Sequence, residues 1–175
     1  MRNLFSVEGK VALVTGGSRG IGEMIARGYV ENGAKVYISS RKANVCDETA
    51  KRLAATYGGT CISMPADLSH ISGVESLAQR VAEREKHLDI LVNNAGAAWG
   101  APIDSFPEVG WDKVMDTNVK AVFFLTQKLL PLLREGGKGA SPARVINIGS
   151  IDGLKAAAFS TFSYGASKAA VHHLT

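Results

Sequence analysis

The chain has 175 residues, 46% hydrophobic and 21% charged, which excludes a disordered polypeptide and fits one domain. Its glycines follow no three-residue period, and no apolar run approaches the roughly 18 residues of a membrane span, so collagen-like and membrane readings fall away. The net charge of +4 is dispersed, with Arg41-Lys42 and Lys51-Arg52 the only short basic pairs, so nucleic acid is not an expected partner.

Strand-like and helix-like stretches alternate along the chain. Val11–Thr15 is short, apolar and followed by glycines, as a buried strand is. Ile21, Met24, Ile25 and Tyr29 recur at helical spacing and stop at Asn32-Gly33. Lys35–Ser39 is the second predicted strand, Val45–Tyr57 the second helix and Cys61–Met64 the third strand. Val74, Leu77, Ala78 and Val81 mark a third helix, and Asp89–Asn93 a fourth strand. A loop over Asn94–Pro107 precedes one long predicted helix, Trp111–Leu133, and a surface loop over Glu135–Pro142. Arg144–Ile148 is the fifth strand, Gly149–Ser163 is irregular, and a helix runs from Tyr164 onward. This alternation predicts a doubly wound parallel sheet between two helical layers, a three-layer α/β architecture in a single domain. Ligands of such sheets bind at the carboxyl ends of the strands, where strand order reverses.

The turn after the first strand reads Thr15-Gly-Gly-Ser-Arg-Gly-Ile-Gly22. Its glycines permit positive φ and let a phosphate approach the backbone, and the following helix offers free N–H groups. The spacing G-x-x-x-G-x-G differs from the commoner G-x-G-x-x-G fingerprint. The second strand ends Ser39-Ser40-Arg41-Lys42, and the next acid is Asp47. An acid there would select NAD, whereas Arg41 and Lys42, with Arg19 in the glycine turn, fit the 2′-phosphate of NADP(H).

Tyr164 and Lys168 are four residues apart and share one helix face. A phenol is ordinarily a weak acid with a pKa of about 10. A cation about 4 Å away, in a partly screened site, supplies about 4 kcal/mol toward removing its proton. Ser150 follows the fifth strand at its carboxyl end, where its hydroxyl is placed to hold a carbonyl oxygen. Asn118 lies inside the long helix although Asn is a poor helix former. It marks either a kink with a water-binding carbonyl or a solvent-facing position. Cys46 and Cys61 lack metal spacing and read as free thiols. Adjacent His172 and His173 point about 100° apart, and His70 and His87 lack partners at ligand spacing, so no metal site is expected.

Together these parts resemble the short-chain dehydrogenase/reductase family, and the resemblance covers the whole chain. The matching motifs are the glycine turn, Asp67 in Ala-Asp-Leu-Ser, Asn93-Asn-Ala-Gly96, Asn118, Ser150 in Ile-Asn-Ile-Gly-Ser, and Tyr164-Gly-Ala-Ser-Lys168. The resemblance implies a Rossmann fold holding NADP(H) through Gly16, Ser18, Arg19, Gly20, Ile21, Gly22 and Arg41. Asp67 is then expected to contact the adenine, and Asn93 and Gly96 to line the adenine–ribose side and stabilise the central sheet. Ser150 orients the carbonyl or hydroxyl, Tyr164 is the general acid/base, and Lys168 bonds the nicotinamide ribose and eases loss of the Tyr164 proton. The carbonyl of Asn118 holds a water of the proton relay.

The implied reaction is hydride transfer between NADP(H) and a small-molecule carbonyl or secondary alcohol. Within the family the chain is most similar to the 3-oxoacyl reductase branch, including reductases of rhamnolipid biosynthesis. A sugar, steroid or small ketone is the alternative substrate, and a non-catalytic nucleotide-binding fragment the alternative of another class. Trp99, Phe159, Phe162 and Ala156–Ala158 read equally as an apolar pocket or as loop packing. The family adds two further strands and a substrate-covering segment, so a domain incomplete at its C-terminus, with low turnover, is expected. The full-length form is expected to be a cytoplasmic homodimer or homotetramer.

Overall fold

The computed structural model describes residues 5–138, 141–156 and 159–175. In chain order β1 (Val11–Thr15), α1 (Gly20–Glu31), β2 (Lys35–Ser39), α2 (Ala43–Tyr57), β3 (Thr60–Ser63), α3 (Ile71–Ala82) and β4 (Ile90–Asn93) alternate. Then follow α4 (Glu108–Met115), α5 (Ala121–Gly136), β5 (Arg144–Asn147) and α6 (Phe162–Leu174). The strands form one parallel sheet in the order β3-β2-β1-β4-β5. Strand order reverses between β1 and β4, which sets the ligand crevice at their carboxyl ends. The doubly wound Rossmann architecture read from the sequence is therefore present.

Each strand turns alternate side chains to opposite faces. Leu13, Tyr37 and Leu91 pack with Leu77 of α3 and Leu125 and Leu129 of α5. Val14, Val36, Ile38 and Val92 pack on the other face with Ala26 and Val30 of α1 and Leu53 of α2. Both faces of the sheet are thus covered, which is why its central strands read as continuous apolar runs. At the edge, Val145 and Ile146 of β5 remain exposed.

Boundaries differ from the sequence reading where side chains act locally. β3 begins at Thr60 and β4 at Ile90, one residue away from the expected starts. Asp89 closes the sheet end instead: its carboxylate accepts the Val11 N–H at 2.8 Å and the Lys10 ammonium at 2.8 Å. The long helix expected over Trp111–Leu133 is interrupted by a π-helical turn, Asp116–Lys120, between α4 and α5. Short 3-10 turns at Ile103–Ser105 and Ile151–Gly153 order parts of the loops. α6 starts at Phe162, two residues ahead of Tyr164.

Leu13 sits mid-sheet, paired with both Tyr37 and Leu91, and is fully buried. Leu13→Ala is expected to cost about 2–5 kcal/mol of stability by chemical denaturation, because the central sheet cannot collapse into the cavity.

Candidate active site

A cleft of about 510 Å3 opens at the carboxyl ends of β1, β2 and β4. Its floor is the glycine turn, where Gly16 (φ 65°) and Gly20 (φ 57°) take left-handed conformations that disfavour other residues. The Gly17 N–H donates to the Ser39 carbonyl at 3.1 Å, tying the turn to β2. Gly22, in the first turn of α1, lies against the Gly16 carbonyl and the Asn94 amide with no room for a Cβ. Arg19 precedes α1 without offering a side-chain cap, so the N-terminal amides of that helix have no side-chain acceptor. Ser18, Gly20 and Ile21 complete this wall. Such a turn, with a positive helix end behind it, fits a pyrophosphate.

Farther along the cleft, Ser39, Ser40, Arg41 and Lys42 lie at the end of β2. The Ser39 hydroxyl is buried without a hydrogen-bond partner among the described residues. Arg19, Arg41 and Lys42 form no ion pair with a carboxylate among the described residues, unlike Lys10, Lys35 and Arg52. The donor set fits a further anionic group on the ligand. Asp67 forms part of the facing wall. Partial burial pushes its carboxyl up, but the N–H and hydroxyl of Ser69, with Arg41 and His70 nearby, hold it below the ordinary carboxylate range. The site therefore fits an adenine dinucleotide carrying an extra phosphate.

β1 and β4 are locked together at the cleft. The Thr15 hydroxyl donates to the Val92 carbonyl and accepts the N–H groups of Asn94 and Ala95. The Asn94 amide donates to the carbonyls of Thr15 and Gly16. Gly96 lines the cleft, whereas Asn93 takes the expected sheet-stabilising place. Its amide is buried and donates to Thr126 and Asn147, so it stitches β4 to α5 and β5. Asn94 takes the wall position instead.

Asn118 lies in the π-helical turn and is buried, which excludes the solvent-facing alternative. Its side-chain oxygen accepts the Ala97 N–H at 2.8 Å, and its amide donates to the Ala97 carbonyl and the Ser167 hydroxyl, each at 2.9 Å. Ser167 in turn donates to the Tyr164 carbonyl at 2.7 Å. Asn118 thus couples the cleft wall to α6.

α6 carries Tyr164 and Lys168 and packs beside the 3-10 turn that follows Ser150. The Lys168 ammonium is buried, donates to the Ile148 carbonyl at 2.6 Å and lies 5.7 Å from the centre of the Tyr164 ring. Removal from water pushes its pKa below the ordinary lysine value. The Ser150 hydroxyl accepts the Asp152 N–H at 3.2 Å and opens the 3-10 turn. Trp99 stacks against Gly110 of α4, with Lys113 above its ring, which is packing rather than pocket lining. Phe162 meets Phe106 edge-on and Phe159 is exposed, while Ala157 and Ala158 fall outside the described residues.

Residues 10–175 match the family described as short chain dehydrogenase. The chain belongs to this family. It is 53% identical over 175 residues to the rhamnolipids biosynthesis 3-oxoacyl-[acyl-carrier-protein] reductase of Pseudomonas aeruginosa, covering all of this chain and 68% of that protein. It is 35% identical to a 2-dehydro-3-deoxy-D-gluconate 5-dehydrogenase of Dickeya dadantii, covering 99% of this chain and 66% of the relative. Among solved structures, the Pseudomonas aeruginosa RhlG/NADP active-site complex superposes with a TM-score of 0.93 at 54% identity, over 99% of this chain and 67% of that one. A gluconate 5-dehydrogenase from Beutenbergia cavernae with bound NADP gives 0.88 at 33% identity, over 98% and 66%. The chain thus spans about two thirds of the length of these relatives.

The glycine turn, Arg41, Asp67 and Gly96 line one cleft. The sequence reading did not single out Asn94 or the Thr15 hydroxyl, which the Asn-Asn-Ala-Gly motif and the strand-end threonine contained. The buried Lys168 gives a testable pH dependence. Its folded pKa is lowered, so the unfolded chain binds more protons between that value and the ordinary 10.5. Stability should therefore rise with pH across this interval, relative to Lys168→Met, in urea denaturation curves.

Proposed function

We propose that this chain is an NADP(H)-binding Rossmann domain that interconverts a carbonyl and a secondary alcohol, with a 3-oxoacyl compound as substrate. The observation that carries the reading is Lys168. A buried ammonium beside the Tyr164 ring costs stability, as groups at functional sites commonly do, and it lies on the helix whose neighbour turn bears Ser150. Arg19, Arg41 and Lys42, in no ion pair among the described residues, favour NADP(H) over NAD(H). The 3-oxoacyl assignment draws support from the Pseudomonas aeruginosa relative.

The glycine turn and Arg41 would hold NADP(H), which when bound would supply the hydride for the carbonyl carbon. The chain's own residues then handle position and proton. Ser150 donates a hydrogen bond that orients the substrate oxygen. Tyr164 gives its hydroxyl proton to that oxygen as charge develops there. Lys168 favours the resulting phenolate through its nearby charge, while the Ile148 carbonyl holds the ammonium in place. Asn118 keeps α6 in register with the Ala97 wall, and its carbonyl is the proposed anchor for a relay water. In oxidation the same groups run in reverse.

Two further readings go with this one. Exposed Val109, Trp111 and Phe123 on α4 and α5 support a self-associating homodimer or homotetramer. Free Cys46 and Cys61 suit a reducing cytoplasm. Among the described residues no helix is long and apolar enough to cross a membrane.

The test is NADPH oxidation with a 3-oxoacyl thioester, run beside a sugar ketone. Tyr164→Phe should lower kcat by about 100-fold or more while dinucleotide binding is kept. A loss under about tenfold would count against Tyr164 as the proton donor.

A further inference from the structure

Tyr164, Lys168 and His172 stand at successive intervals of four on α6, so one stripe of that helix bears all three. Lys168 and His172 grip the same piece of backbone from the two sides of Gly149. The Lys168 ammonium donates to the Ile148 carbonyl at 2.6 Å, and Nε2 of His172 accepts the Ser150 N–H at 3.3 Å. Gly149 leaves the space for this contact, because a Cβ there would collide with Nε2 and lie 2.7 Å from Cδ2 of the imidazole. Past Ser150 the chain turns at once, with the Gly153 N–H donating to the Ser150 carbonyl at 3.0 Å. Gly153 then seats on the Lys168 backbone, where a Cβ would lie 2.6 Å from the carbonyl carbon.

An imidazole that accepts at Nε2 is neutral and carries its proton on Nδ1. That Nδ1 is buried with no hydrogen-bond partner among the described residues. A residue serving only to fill space would not need this, since leucine fills a similar volume with no polar atom to strand. What the imidazole offers that leucine lacks is the acceptor it presents to Ser150.

We infer that His172 is a positioning residue, which fixes the Ser150 hydroxyl against Tyr164 by holding the Ser150 peptide N–H through the gap at Gly149. It touches neither substrate nor dinucleotide in this role. The inference rests on the carbonyl chemistry proposed above for Ser150 and Tyr164. Displacing a positioned group by about 1 Å can cost up to about 100-fold in rate.

The experiment combines kinetics with NMR on the protein. Nitrogen-15 shifts of His172 should report the Nδ1–H tautomer. The Ser150 amide should exchange at least about tenfold faster in His172→Leu than in the unsubstituted protein or in His172→Gln, which keeps an acceptor near the Nε2 position. With NADPH and a 3-oxoacyl thioester, kcat should fall about tenfold in His172→Leu, with KM for NADPH within about twofold, and recover to within about threefold in His172→Gln. Gly149→Ala should cause a similar loss and add nothing in the His172→Leu background. An Nε2–H tautomer, an unchanged Ser150 exchange rate in His172→Leu, or equal kcat in the Leu and Gln variants would overturn the inference. Should His172→Leu fail to fold, the tautomer, the exchange rate and the Gln variant still decide. No turnover in the unsubstituted protein, with the Nδ1–H tautomer and a protected Ser150 amide, would overturn the proposed chemistry and the catalytic half of this inference, while the clamp itself stands.

Discussion

The Thr15 hydroxyl joins β1 and β4, the two parallel strands between which strand order reverses. It donates to Val92 and accepts two successive N–H groups, of Asn94 and Ala95. Both walls of the cleft hang from this one oxygen, the glycine turn on the β1 side and the Asn94–Ala97 segment on the β4 side. The Asn94 amide reinforces it by bonding the Thr15 and Gly16 carbonyls, and Gly22 lets α1 approach the same spot. Asn118 then carries the arrangement onward from Ala97 to α6. Hydrogen bonds at nearly fixed geometry therefore set where a dinucleotide and the Tyr164 helix stand relative to each other.

Charge is distributed with the same economy. At the amino ends of β1 and β2, Lys10 pairs with Asp89 and Lys35 with Glu85. The cations at the carboxyl ends, Arg19, Arg41 and Lys42, form no ion pair among the described residues, Arg41 acting on Asp67 only at longer range. Lys168 is buried and depends on the Ile148 carbonyl for compensation. A parallel sheet gathers its loops and helix N-termini at one end, so unsatisfied positive potential collects where an anionic ligand is to bind. Burial of Lys168 destabilises the folded state below its lowered pKa.

Much of this was legible in the sequence because local rules and global fold agree. Apolar runs between glycines gave the strands, and the bare strand end at Ser39–Lys42 gave the character of the cleft. The rest depended on information a linear reading lacks. Asn93 and Asn94 are neighbours in sequence, but successive strand residues face opposite ways. One stitches the sheet to α5 while the other walls the cleft, and nothing in their identity says which. Asn118 was recognisable as an anomaly in a helical stretch. That its side chain bridges Ala97 and Ser167 requires the fold. His172 invited only the question of metal binding, because its acceptor role exists through a missing Cβ at Gly149, more than twenty residues away.

The central claim is that the crevice at the carboxyl ends of β1, β2 and β4 is built for a dinucleotide bearing a 2′-phosphate. Calorimetric titration of the protein with NADPH and with NADH at matched ionic strength tests it most directly. NADPH should bind at least about tenfold more tightly, with the difference shrinking as salt screens Arg19, Arg41 and Lys42. Tighter binding of NADH, or no binding of either, would contradict it.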